Sequence, residues 1–241
     1  MDDFRILQAA DSALVIEFGS MIDRMISDRV LALAEVLKNA GLPGVTEVVA
    51  TFRSLNVNYD SLVTTGHDLE RAIAALVKEA GASSHVSRLW DIPVCYDPQF
   101  APDIEDVAKS VDLTTAEVAA LHASTQYRVY MIGFVPGYPY MGDLPAKLRL
   151  PRRSDPRTRV PPGSLAIASG MTAVYPYESP GGWHLIGRSP VRFFDPESAK
   201  GALLGPGDTV KFRPVTPDEF SSIRLDVERN EFVPSSTEIT A

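Results

Sequence analysis

Through the first 85 residues the apolar positions change period several times. Ala13 to Phe18 is a short apolar run ended by Gly19. From Met21 to Ala40, the residues Met25, Ile26, Val30, Leu33, Ala34 and Leu37 recur at helical spacing, and Gly41-Leu42-Pro43-Gly44 stops the pattern. Val45 to Phe52 and Ser54 to Tyr59 read as a strand pair. Leu69, Ile73, Leu76 and Val77 mark a second helix closed by Gly81. The order strand, strand, helix, strand, strand, helix predicts a small α+β domain over residues 1–85, of ferredoxin-like type.

Residues 81–89 read as a linker to a second domain, 86–241. Ile92-Pro93-Val94 resembles the start of an edge strand, and Pro102 to Val111 and Thr115 to Ala123 read as short helices. Thr114 and Glu117 form a capping-box signature at the start of the second. From Gly133 to Pro190 the texture changes: these 58 residues hold ten prolines and eight glycines. That density excludes long helices and long central strands. The strand-like fragments Tyr127–Phe134, Ser164–Ala168, Trp183–Ile186, Val191–Phe194 and Thr209–Phe212 point to a barrel or sandwich. From Ser222 the chain is polar and reads as an ordered cap or a frayed tail.

Composition narrows the function. The 241 residues are 45% hydrophobic and 22% charged, which is globular rather than disordered. Cys95 is the single cysteine, so no intrachain disulfide or multi-cysteine metal site forms. The formal net charge of −8 argues against a nucleic-acid binder. The opening Met1-Asp2-Asp3-Phe4 has no basic, apolar leader, and no apolar run reaches membrane-spanning length, which predicts a cytoplasmic protein. The charge is uneven. Between Lys147 and Arg192 lie eight basic residues against Asp155 and Glu178 alone, a local +6 inside an acidic chain. Such a segment is either a site for a carboxylate or phosphate or a solvated arginine-rich loop.

No nucleotide-binding loop, dinucleotide fingerprint or nucleophile elbow is present, and His67, His85, His122 and His184 are too far apart in sequence for metal-ligand spacing. Candidate chemistry concentrates in three blocks. Gly133–Gly142, with Phe134, Tyr138 and Tyr140, reads as a rigid aromatic pocket wall or as a proline-stiffened β-corner. In Pro151–Ser164, Arg157 and Arg159 are two apart and would face the same way in an extended segment. They either grip an anion through planar guanidinium forks or pair with Asp155, Glu178 or acidic groups of the first domain. In Tyr175–Pro190, Gly181 and Gly182 offer bare backbone N–H groups for an oxyanion, with Glu178 and His184 as the acid/base candidates. Cys95 reads as buried filler.

Together these blocks resemble the 5-oxoprolinase B-subunit family, whose members are also known as allophanate hydrolase subunit 1 or as KipI-type kinase inhibitors. The residues that carry the resemblance are Gly133–Gly142, the Pro151-Arg-Arg…Pro156-Arg-Thr-Arg-Val-Pro161 stretch, Gly163-Ser164, and Ser179-Pro-Gly-Gly-Trp183…Ile186-Gly-Arg188. Further matches are Asp11-Ser-Ala-Leu14, Arg53-Ser-Leu55, Ile92-Pro-Val94, Phe194-Asp-Pro196 and Pro206-Gly-Asp208. Met141-Gly142-Asp143 and Pro162 depart slightly from the family pattern. The resemblance implies an α+β domain followed by a mainly-β, cyclophilin-like barrel. It implies a complex with two further chains, a C-type partner bearing a related barrel and an A-type partner, which together hydrolyse 5-oxoproline using ATP. The chain itself would carry no cofactor and no metal, ATP being used by a partner. On that expectation Arg157, Arg159, Tyr138, Ser164, Gly181 and Gly182 bind substrate, and Glu178 and His184 move protons. The same resemblance leaves two alternatives: a regulator that binds a sensor histidine kinase, and the carboxyltransferase component of a biotin-dependent urea carboxylase.

Overall fold

The computed structural model describes residues 4–79 and 86–240. The chain divides into two compact units, residues 1–86 with 240–241, and residues 87–239. Of the expected linker, residues 81–85 lie outside the described residues, as does Gly81 as a helix stop. Residues 86–89 belong to a strand instead.

In the first unit the elements run β1 (Arg5–Ala10), β2 (Ala13–Glu17), α1 (Arg24–Ala40), β3 (Val45–Ala50), β4 (Ser54–Tyr59) and α2 (Gly66–Glu79). The four strands form one antiparallel sheet in the order β1-β2-β4-β3. Alternation on the two central strands sends Leu14 and Ile16 of β2, and Leu55, Val57 and Tyr59 of β4, into one core. Val30, Leu33, Ala34 and Leu37 of α1 and Leu69 and Ile73 of α2 fill it from the helical side. Helix α1 starts three residues later than its apolar period predicts. The Asp23 carboxylate accepts hydrogen bonds from Met25 N (2.8 Å) and Ile26 N (3.3 Å) and so fixes the first turn. Ile26 packs against the core, while Met25 is 76% exposed.

The second unit runs β5 (Val86–Val94), α3 (Ile104–Ser110), α4 (Thr115–Ala123), β6 (Gln126–Ile132), β7 (Pro139–Met141), a 3-10 turn (Ala146–Leu148), β8 (Arg157–Val160), β9 (Ser164–Ala168), β10 (Met171–Val174), β11 (Ser179–Gly181), β12 (His184–Arg188), β13 (Thr209–Pro214), α5 (Pro217–Glu228) and β14 (Ser236–Thr240). Eight strands form a sheet ordered β12-β9-β10-β7-β6-β13-β5-β14, and β8 and β11 form a separate pair. Strand β9 is buried along its whole length, which explains its unbroken Leu165-Ala166-Ile167-Ala168 run.

The expected barrel is not a closed ladder. Strand β12 approaches the end of β5 in one isolated bridge, in which Cys95 and Arg188 exchange backbone hydrogen bonds of 2.8 and 2.9 Å. Pro93 has no N–H to extend that pairing. Beyond it the chain turns at Asp97, whose backbone carbonyl accepts from Phe100 N and whose side chain accepts from Gln99 N. Val191–Phe194 is also not a strand: only Phe194 bridges, to Ala202. The C-terminal segment is ordered. Thr216 and Glu219 cap α5 reciprocally with Pro217 in its first turn, and β14 then lies beside β5.

The core of this unit gathers Ile92 and Val94 of β5, Tyr127 and Val129 of β6, Leu165 and Ile167 of β9 and Val210 and Phe212 of β13 beneath α3 and α4. His122, fully buried on α4, stacks on Tyr127 at 4.8 Å. Thr172 Oγ1 donates to Ala166 O (3.1 Å), so it accepts the His122 Nε2 proton (3.0 Å), and Tyr96 O–H donates to Nδ1 (2.8 Å). Both ring nitrogens are satisfied in the neutral form, and burial pulls the His122 pKa down to about 3.

Candidate functional site

The three motif blocks meet on the second unit, but they divide into framework and surface. Tyr138, immediately before β7, is buried and packs edge to face against Tyr140 (4.9 Å), Tyr175 (5.1 Å) and Trp183 (6.3 Å). Its hydroxyl is hydrogen-bonded to Tyr175, and burial pushes it well above the ordinary tyrosine range. Phe134 extends this cluster outward: its ring lies 5.4 Å from Tyr138 yet remains exposed, on a backbone with φ of 71°. A phenylalanine held in the left-handed region costs on the order of 1 kcal/mol or more.

Gly181 is a glycine because of that cluster. A Cβ there would sit 2.2 Å from the Tyr175 hydroxyl. Gly182 uses its carbonyl to accept Arg153 N (2.8 Å), which docks the arginine-rich stretch alongside β12. His184 joins the same seam, its Nε2 donating to Pro151 O at 2.9 Å. Ser164 is buried at the head of β9, paired with Arg188 across the ladder.

Arg157 and Arg159 have different partners. Arg157 makes a two-pronged contact with Asp103, Nη1 to Oδ2 at 2.9 Å and Nη2 to Oδ1 at 2.6 Å. Arg153 adds a third charged contact to Oδ1 at 2.9 Å, and Leu185 N donates to Oδ2 at 2.7 Å. Asp103 is 2% exposed. It stands at the N-cap position of α3 without capping it, its side chain committed instead to tying α3, the arginine stretch and β12 together. Arg159, by contrast, pairs with Glu178 at 2.8 Å on the surface, its side chain 77% exposed. Glu178 and His184 are therefore each engaged, with different partners.

Sequence reasoning gave no role to Asp103. Asp103 falls inside the helix expected over Pro102 to Val111, and nothing local signals that the carboxylate faces two arginines some fifty residues away. It also gave no role of its own to Arg188. That guanidinium is half-buried, with Nε donating to Pro162 O at 2.8 Å, and among the described residues it has no acidic partner. Among the described residues no group of three or more His, Cys, Asp or Glu is placed to hold a metal ion, and no helix is long and apolar enough to cross a membrane.

Comparison with known proteins places this architecture. Residues 4–204 match the family model of the carboxyltransferase domain, subdomains C and D. The 5-oxoprolinase B subunit of Bacillus subtilis is 35% identical over 235 residues, covering 92% of this chain and 97% of that protein. Among solved structures, TTHA0988 superposes with a TM-score of 0.76 at 37% identity, covering 85% of this chain and 40% of that longer chain. The Kluyveromyces lactis urea amidolyase shares the fold, with a TM-score of 0.81 at 22% identity, covering 99% of this chain and 16% of that one. The chain thus belongs to the carboxyltransferase subdomain C and D family, the family of the 5-oxoprolinase B subunits.

Proposed function

We propose that this chain is the B subunit of an ATP-dependent 5-oxoprolinase, which hydrolyses 5-oxo-L-proline to L-glutamate in complex with a C-type and an A-type partner. The end-to-end correspondence with a protein named for that role carries the reading. A lactam is a poor electrophile. ATP can activate its carbonyl oxygen as a phosphate ester before water attacks, and a chain without a recognisable nucleotide loop leaves that phosphorylation to a partner. The reading takes two domains, 1–85 and 86–241, the first of ferredoxin-like type; the sheet order β1-β2-β4-β3, with the edge strand β1 first in the chain, supports it. Arg157, Tyr138, Ser164, Gly181 and Gly182 hold the framework through the contacts described above. His184 and the exposed Arg159–Glu178 pair face outward, where proton transfer can be shared with a partner. The chain is cytoplasmic and inactive alone.

The family's carboxyltransferase name supports a second reading, a component of a urea carboxylase working with a biotinylated partner. Association separates the two. Light scattering of this chain mixed with C-type and A-type chains should give a defined hetero-complex. Failure to bind them, with binding to a biotinylated carboxylase, would transfer the assignment.

A further inference from the structure

Beside the motif blocks, the second unit carries an open groove of about 600 Å³ between Pro162, the 188–197 stretch and α5. Part of its wall is apolar: Pro162, Pro176 and Pro190, with Tyr177 edge to face on Phe194 at 5.8 Å. Six charged side chains line it: Arg188, Arg192, Arg224, Asp195, Glu197 and Glu228. Four of them are matched, Arg192 with Asp195 at 3.5 Å and Arg224 with Glu228 at 3.8 Å. Among the described residues Arg188 has no acidic partner and Glu197 no basic one. Arg188 is half-buried and aimed by its Nε bond to Pro162 O, so its Nη donors are left for something else. Burial and the nearby Arg224 guanidinium both oppose its charge. Two guanidiniums held near each other in a half-dry groove are relieved by an anion between them.

The geometry points to this groove as the binding site for a small cyclic amide acid, with Arg188 gripping its carboxylate, the proline and aromatic walls taking the ring, and Glu197 accepting the amide N–H. It rests on the reading above in identifying that ligand as 5-oxoproline. It moves substrate recognition away from Arg157 and Arg159, whose guanidiniums already pair with Asp103 and Glu178.

Titration of the full chain with 5-oxo-L-proline and with 2-pyrrolidinone, the same ring without the carboxylate, followed by NMR, tests the site directly. Saturable binding of the acid, at least tenfold tighter than the neutral lactam and weakened about 10- to 100-fold by Arg188→Gln, is expected from the loss of a charged hydrogen-bond pair. Arg224→Gln leaves the Pro162 contact intact and should weaken binding several-fold, so the test survives a misfolded Arg188 variant. No saturable binding, or equal binding by the wild-type and folded variants, would overturn the site. In the reconstituted complex Arg188→Gln should raise KM for 5-oxoproline and leave KM for ATP unchanged. An active complex with unchanged KM would reject the groove and leave the 5-oxoprolinase reading standing. A wild-type complex without turnover would reject that reading, and the titration would still decide the groove.

Discussion

Replacing Asp103 with asparagine should unfold the second unit far more easily while leaving the first untouched. The carboxylate receives three contacts from charged guanidinium donors and one from a backbone N–H, all between 2.6 and 2.9 Å. Breaking a buried ion pair by removing one partner costs about 3–5 kcal/mol. Arg153 and Arg157 keep 27% and 24% of their side-chain surface, so water recovers part of that loss. The asparagine amide also turns a donor toward either an arginine or Leu185 N. A net cost of about 3 kcal/mol is therefore expected, which for a unit of this size lowers Tm by roughly 6–12 °C. Both tryptophans, Trp90 and Trp183, lie in the second unit, so fluorescence during urea unfolding reports it alone. An unchanged midpoint would refute the claim that Arg157 is a framework residue, and would return it to the substrate-binding role expected from sequence.

Other outcomes follow from the same contacts. Arg159→Ala removes an exposed pair and should change stability by less than about 1 kcal/mol; a larger shift in the urea midpoint would show that the pair is structural. Gly181→Ala forces a methyl into the Tyr175 hydroxyl and should cost about 1–3 kcal/mol by thermal melting; a wild-type Tm would mean that the β11 backbone can yield. His122 is neutral in the folded state with a pKa of about 3, against about 6.5 unfolded. The unfolded chain therefore binds the extra proton, and the stabilisation is present above about pH 6.5 and lost as pH falls toward 3. At about pH 4.5 the loss is roughly 2–3 kcal/mol. Urea midpoints measured between these limits should fall more steeply in wild type than in His122→Phe, and parallel slopes would reject the neutral network.

Much of the first unit was legible because its elements bury one face each. The alternation Leu55, Val57, Tyr59 and the helical spacing Val30, Leu33, Ala34, Leu37 both survive in the core. The start of α1 was misplaced because Met21 and Met25 continue the apolar pattern past the Asp23 cap. In the second unit α4 was readable from Thr114 and Glu117, yet the same signature at Thr216 and Glu219 introduces α5, in a segment whose polarity masked it. The motif blocks pointed to a stretch of the second unit, but not to the partners its side chains take. An arginine's partner is set by long-range topology: Arg157 and Arg159, two apart in sequence, face a buried aspartate and a surface glutamate respectively. That Arg188 has no acidic partner among the described residues was visible only once the groove around it was.

The proposed role is tested most directly by glutamate release from 5-oxo-L-proline and ATP, with this chain, a C-type partner and an A-type partner together and each omitted in turn. Turnover with all three, and none when this chain is absent, is the predicted result. Equal turnover by the two partners without it would contradict the assignment.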